Sequence, residues 1–170
     1  MRSRITGQEQ RLIKNMKIDL VKKEDLEQVA EIYCNSFNSV SNEGWTKETA
    51  LRLFEYWFNR QPDLFFIAKD KDKIIGSVVA SAKPWFDGVR LQDGEVFVDP
   101  KYQKSGVGKQ LLIKLIKEGI NKYNTNTFEG ITFAGAEFPL SWYKRIGMKK
   151  SDDLVVISGS CQEMLNNLQK

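Results

Sequence analysis

Hydrophobic and polar positions recur along this chain with two periods, and the switches between them predict its elements. Residues 16–21 (MKIDLV) alternate enough for a first strand. Leu26, Val29, Ala30, Tyr33 and Phe37 then follow at helical spacing, behind Glu24 and Asp25 in the first turn, where the helix dipole favours acids. Residues 38–45 are polar and contain glycine, which predicts a loop. Thr46 is placed to cap a second helix carrying Ala50, Leu51, Phe54, Trp57 and Phe58, and Pro62 ends it.

Two β-rich runs, 64–68 and 74–82, flank the charged turn Lys69-Asp70-Lys71-Asp72-Lys73 and read as a hairpin. Residues 83–88 (KPWFDG) read as a loop, and 89–98 as a longer strand stopped by Asp99-Pro100, since proline cannot donate to a ladder. Val107, Leu111, Leu112, Leu115, Ile116 and Ile120 mark the apolar stripe of a long helix, with Lys109, Lys114, Lys117 and Lys122 opposite. A strand is expected over 128–134, then a short helix from Pro139 to Arg145 closed by Gly147. A last strand over 154–158 and a helical turn over 163–168 complete the chain. The order β-α-α-β-β-β-α-β-α-β belongs to the α/β (α+β) class, with a mixed, mostly antiparallel sheet flanked by helices. The hairpin at 64–82 is incompatible with a fully parallel doubly wound sheet.

Composition narrows the chemistry. The 170 residues contain no His and two Cys, Cys34 and Cys161. That excludes Ser-His-Asp and Cys-His hydrolysis and any His-based metal site, and no metal is expected. The net charge is +4, but Arg2, Arg4, Arg11 and Lys14 against Glu9 place +3 of it in residues 1–15. The basicity therefore belongs to a short arm, expected to be flexible, ahead of a single domain over 16–170. No nucleic-acid partner is expected of the remainder. Without a signal-like apolar run or a membrane-length segment, the expected location is the cytoplasm, with no membrane partner and reduced, unpaired thiols. A homodimer is compatible with the sequence.

The stretch that carries chemistry is 95–110, EVFVDPKYQKSGVGKQ. A strand runs into a glycine turn that opens an amphipathic helix. The first N–H groups of a helix have no internal partners and carry the positive end of its dipole, so this is an anion site. Gly106 and Gly108 let backbone approach a phosphate, with Lys104 and Lys109 at the rim. A Walker A loop fails at Gln103 and Gln110, and a dinucleotide fingerprint fails at Leu111. The pattern Q/R-x-x-G-x-G/A after V-x-P is matched by Val98, Pro100, Gln103, Gly106 and Gly108. A ligand-free glycine connection is the plain alternative.

With that pattern the sequence resembles the GNAT N-acetyltransferase superfamily over about residues 16–158. The element order, the acidic turn at 24–25, and Ser141-Trp-Tyr-Lys-Arg-Ile-Gly-Met148 are similar to the family's arrangement. The resemblance implies that the backbone of Gln103, Lys104, Ser105, Gly106, Val107, Gly108 and Lys109 holds the pyrophosphate of acetyl-CoA. It also implies that Val96, Phe97 and Val98 pair with the pantetheine arm, where two strands splay apart. Tyr143 stands where the family protonates the leaving thiolate, and a Phe97 N–H is expected at the carbonyl oxygen. Many relatives have an Asn seven residues before the tyrosine; here that position is Ala136, next to Glu137, which moves its contact to Ser141.

Acyl transfer to an amine needs a base, and without His a carboxylate is the candidate. Glu95 lies on the strand expected to line the cleft, with Asp93 and Asp87 as weaker alternatives; a solvent-facing role for Glu95 is the competing reading. Trp45, Trp85 and Phe86, with Glu43 and Asp87, sit in the two loops that build the family's acceptor sites, where aromatics also simply pack down. The function implied is transfer of acetyl from acetyl-CoA to a primary amine of a small molecule or peptide. A non-catalytic CoA-binding regulator and an arm-driven binding module are the rivals.

Overall fold

The computed structural model describes residues 7–38, 41, 44–135 and 137–169. The chain divides into two compact units, Met1–Gly130 and Ile131–Lys170, taken in turn.

The first unit contains α1 (Gly7–Asn15), β1 (Lys17–Leu20), α2 (Leu26–Phe37), α3 (Lys47–Arg60), β2 (Phe65–Asp70), β3 (Lys73–Trp85), β4 (Gly88–Val98), α4 (Val107–Tyr123) and β5 (Thr125–Phe128). The sheet runs β1-β2-β3-β4-β5, antiparallel as far as β4, with β5 parallel to β4. This is the mixed, mostly antiparallel sheet the periodicity predicts. Thr46 caps α3 as expected, its Oγ1 accepting from the Thr49 N–H.

One face of the sheet packs on α2 and α3 through aromatic rings. Tyr33 and Phe54 stand edge-on at 5.1 Å, and each lies against Phe97 of β4, at 5.1 and 5.4 Å. On the other face lies α4, held close by Gly119, where a Cβ would come within 3.0 Å of both Leu91 methyls. These two contacts clamp β4 from above and below.

The ends of α3 and α4 are tied by polar groups. Tyr123 Oη donates to Asp63 Oδ2 at 2.7 Å, Gln61 Nε2 donates to Asp63 Oδ1 at 2.7 Å, and Lys122 Nζ reaches the Asp63 carbonyl at 2.9 Å. Burial pushes the Asp63 carboxyl up, but the Tyr123 and Gln61 hydrogen bonds and the Lys122 charge outweigh it and hold it below its ordinary value. A carboxyl depressed in the folded state stabilises the fold above its unfolded pKa, near 3.9, and loses that contribution as pH falls below it. Wild type is therefore expected to exceed Asp63→Asn in stability at pH 7, with the gap narrowing in urea titrations as pH falls from the unfolded pKa through the lower folded one.

The structure departs from the sequence-based elements at several points. Residues 7–15, expected as flexible arm, are helical; residues 1–6 lie outside the described ones. The expected loop at 83–88 is mostly strand, because the hairpin ladder continues through Lys83↔Arg90, Pro84↔Val89 and Trp85↔Gly88. Pro84 is tolerated there since the Ala82 N–H, two residues earlier, turns away from β4 to Gln61 Oε1, so its missing donor faces the same open side. Lys83 and Arg90 both lie 5.2 Å from the Trp85 ring and hold the tip together. Asn124 closes α4 in the left-handed conformation, so β5 starts at Thr125 and stops at Phe128, earlier than the expected 128–134.

The second unit contains α5 (Glu137–Arg145) and α6 (Cys161–Leu168). Gly147, at φ +99°, closes α5 as expected: its N–H bonds the Lys144 carbonyl and the Met148 N–H bonds the Tyr143 carbonyl. The last strand expected over 154–158 is not formed. Leu154, Val155, Val156 and Ile157 have β-prone side chains but no ladder partner among the described residues, and propensity without a neighbouring strand does not make one.

Candidate active site

Everything that positions the site hangs on β4. Its ladder with β3 runs its full length, whereas β5 pairs only with Val89, Arg90 and Leu91. The last link is the Glu129 N–H to the Leu91 carbonyl, at 2.8 Å. Beyond it, residues 92–98 have no strand partner on that edge among the described residues. The two parallel strands are joined at one end and part at the other.

Alternation decides which backbone groups this open edge offers. The Asp99 N–H donates to the Ile75 carbonyl of β3 at 2.9 Å, so Phe97, two residues earlier, also faces β3, opposite Ser77. Val96 and Val98 turn their N–H and C=O outward. The Val98 carbonyl is met there by Ser36 Oγ at 2.9 Å and Gln103 Nε2 at 3.3 Å. An expected Phe97 N–H at the acyl oxygen does not fit this register; Val96 and Val98 present the available amides.

A β-bulge interrupts the strand. Val79 pairs with Glu95 and Ser81 with Gln92, so β4 carries one extra residue, with Asp93 at φ +57°. The extra residue brings Gln92 and Glu95, three apart, onto the same face, shared with Phe97 and turned toward α2 and α3. Glu95 is half-buried there, and Asp93 is exposed at the bulge.

At its exit β4 enters a tight turn. Asp99 Oδ1 accepts from the Lys101 N–H at 2.9 Å, the Tyr102 N–H bonds the Asp99 carbonyl at 2.7 Å, and Ser105 Oγ donates to the Tyr102 carbonyl. Lys104 at φ +62° and Gly106 at φ +90° turn the chain into α4. The residue before that helix is Gly106, which has no side chain to cap it, so the amides of Val107, Gly108 and Lys109 face outward with the positive end of the dipole. Gly106 is required by its φ. Gly108 is not, since a Cβ there would meet Val98 Cγ2 at an ordinary 3.5 Å, which agrees with the Gly/Ala choice at that place in the pattern. Lys104 and Lys109 are exposed beside these amides. The loop thus fits a phosphate-bearing group, and the open edge of β4 fits an extended, amide-containing arm.

The sequence model of the acetyltransferase (GNAT) family matches residues 26–147. The chain belongs to this family. An uncharacterized N-acetyltransferase of Methanocaldococcus jannaschii is 28% identical over 149 residues, 83% of this chain and 64% of the relative, so the chain spans under two thirds of that protein. Among solved structures, a Pyrococcus horikoshii OT3 protein is 27% identical, with a TM-score of 0.67 over 85% of this chain and 92% of that one. An aminoglycoside N-acetyltransferase, AAC(6')-Iy, solved in complex with CoA, shares the fold with a TM-score of 0.66 at 22% identity, over 86% of this chain and 95% of that one.

Within this GNAT chain, the first unit holds Glu95, the strand edge and residues 103–109. Ser141 and Tyr143 belong to the second unit, on α5, both half-buried, with the Tyr143 ring 5.1 Å from Trp142. Ala136 and Glu43 lie outside the described residues. Trp45 packs down, edge-on to Tyr33 at 5.1 Å and bonded through its backbone to the Asn38 side chain. Trp85 and Phe86 are exposed at the hairpin tip, and Asp87 is engaged by Arg90 at 2.7 Å, a hydrogen bond that holds its carboxyl below the usual range.

Three contributors escaped the sequence reading. Arg90 bridges Asp87 and Glu129, and Gln92 Nε2 donates to Glu129, so Glu129 sits at the fork on the same face as Glu95. Ser36 ties α2 to the open edge. The bulge that aligns Gln92 with Glu95 had only the Asp-Gly pair at 93–94 as a signal, and in sequence that pair reads equally well as a turn.

Proposed function

We propose that this GNAT protein transfers an acetyl group from acetyl-CoA to a primary amine of a small-molecule or peptide acceptor. One observation carries the reading: an edge of β4 with no strand partner among the described residues leads directly into the start of α4, through a glycine turn flanked by lysines. Backbone amides of residues 103–109 would hold the pyrophosphate, and the outward groups of Val96 with the outward N–H of Val98 would align the pantetheine arm, with Phe97 as core anchor behind them. Ser141 would supply a further polar contact to the arm. The cosubstrate supplies an acetyl thioester.

The chain's own residues then move protons. Glu95, on the face turned toward α2 and α3, accepts a proton from the attacking amine, directly or through water. An outward N–H of β4 stabilises the charge that develops on the carbonyl oxygen. The Tyr143 phenol delivers a proton to the departing thiolate. Tyr143→Phe is expected to lower kcat roughly 10²-fold with little change in CoA affinity. Steady-state thiol release with an amine panel, alongside calorimetric CoA binding, tests this.

Thermal unfolding tests the cofactor directly. At about 1 mM, CoA or acetyl-CoA binding with a micromolar Kd stabilises by about 4 kcal/mol, a rise of several degrees in Tm, and ATP should produce little. Gly108→Asp supplies the contrast. An acid in the first turn of α4 favours the helix by about 0.3–1 kcal/mol, yet it satisfies the amides and repels phosphate. The variant is expected to keep or slightly raise its own Tm and to lose the CoA-induced rise. No rise in wild type with either CoA species would overturn the reading.

A further inference from the structure

The phosphate turn is touched by a part of the chain that its proposed reaction does not use. A Cβ on Gly106 would come within 2.9 Å of Ile13 Cδ1, so the end of the Ile13 side chain rests against Gly106. Ile13 belongs to α1, whose nine residues are too few for a stable helix in water without docking. Leu12 and Ile13 are half-buried, while Arg11, Lys14 and Asn15 are exposed, so among the described side chains the apolar pair holds the helix down. The Met16 N–H bonds the Leu12 carbonyl at 2.9 Å and β1 starts at Lys17, which keeps the tether short.

Glycine at the opening of a phosphate-binding helix is useful because nothing projects from it and a phosphate can reach the backbone. Here a methyl group of the chain itself has taken up that approach. We propose that α1 is an autoinhibitory strap: Ile13 competes with the phosphates of the cofactor for the space at Gly106, and cofactor binding lifts the helix from the turn. This rests on the cofactor reading above. The basic character of residues 1–15 suits such a device, because a lifted strap keeps Arg11 and Lys14 tethered near a polyanion rather than opposing it.

The full-length chain and its Ile13→Ser variant are compared by calorimetry with CoA, and by trypsin cleavage after Arg11 and Lys14 with and without CoA. A half-buried isoleucine released from the turn should leave CoA binding about fivefold tighter in the variant. In wild type, CoA should speed cleavage at both sites. Unchanged or weaker affinity in Ile13→Ser, or protection of wild type by CoA, overturns the strap and leaves the cofactor reading standing. Absence of CoA binding by either protein overturns the cofactor reading and the strap together.

Discussion

Replacing Glu95 by Gln is expected to lower kcat roughly 10²–10⁴-fold while leaving CoA binding within about twofold. Gln keeps the size of the side chain and its ability to accept a hydrogen bond, so packing beside Val79 and Phe97 is retained, and only the capacity to take a proton is lost. The assignment draws on placement: the bulge at Asp93 sets Glu95 on the face shared with Phe97, half-buried and turned toward α2 and α3. Thiol-release rates with a mixed amine panel, alongside calorimetric CoA binding, read both effects. A Gln variant with near wild-type rates would move the base elsewhere on the same face, with Glu129 at the fork the first group to test.

How much of this was legible in the sequence depended on whether a feature is local. The α3 cap at Thr46, the end of α3 before Pro62, the stripe along α4 from Val107 to Ile116 and the Gly147 closure of α5 each follow from residues within one or two turns of one another, and each forms as expected; Ile120, expected on the same stripe, is exposed in the last turn of the helix. The glycine turn was legible for the same reason: strand, Pro100, Gly106 and helix are consecutive. What escaped is set by partners distant in sequence. The direction of the Phe97 amide depends on its register with Ser77, and the bulge depends on Ala80 lying opposite two residues of β4. Residues 154–158 have strand-like side chains, yet a strand is defined by its neighbour. The helix at 7–15 escaped because charge dominates residues 1–15, while its docking depends on two apolar residues and a glycine 93 positions away from Ile13.

The bulge is also the place where a change without chemistry of its own should have a large effect. Gly94→Ala adds a single methyl group, but it would press into the Val79 carbonyl oxygen and lie 2.9 Å from the Ala80 Cβ. Both neighbours are held in the central ladder of the sheet, so neither can swing aside as the end of a long side chain would. Overpacking of this kind costs about 1–3 kcal/mol, and for a chain of this length each kcal/mol lowers Tm by about 2–4 °C. Calorimetry should therefore show a loss of roughly 3–10 °C. Gly130→Ala, where a Cβ would meet nothing within 4 Å, should shift Tm little. The sheet can relieve the clash by giving up the extra residue, and the period of two then sends Gln92 and Glu95 to opposite faces. Activity at 25 °C, well below Tm, should then fall at least tenfold although no proton-transferring group has changed, and a CoA-induced rise in Tm should persist because residues 103–109 are untouched. A Gly94→Ala protein with wild-type Tm and wild-type kcat would show that the bulge neither requires glycine nor orients Glu95.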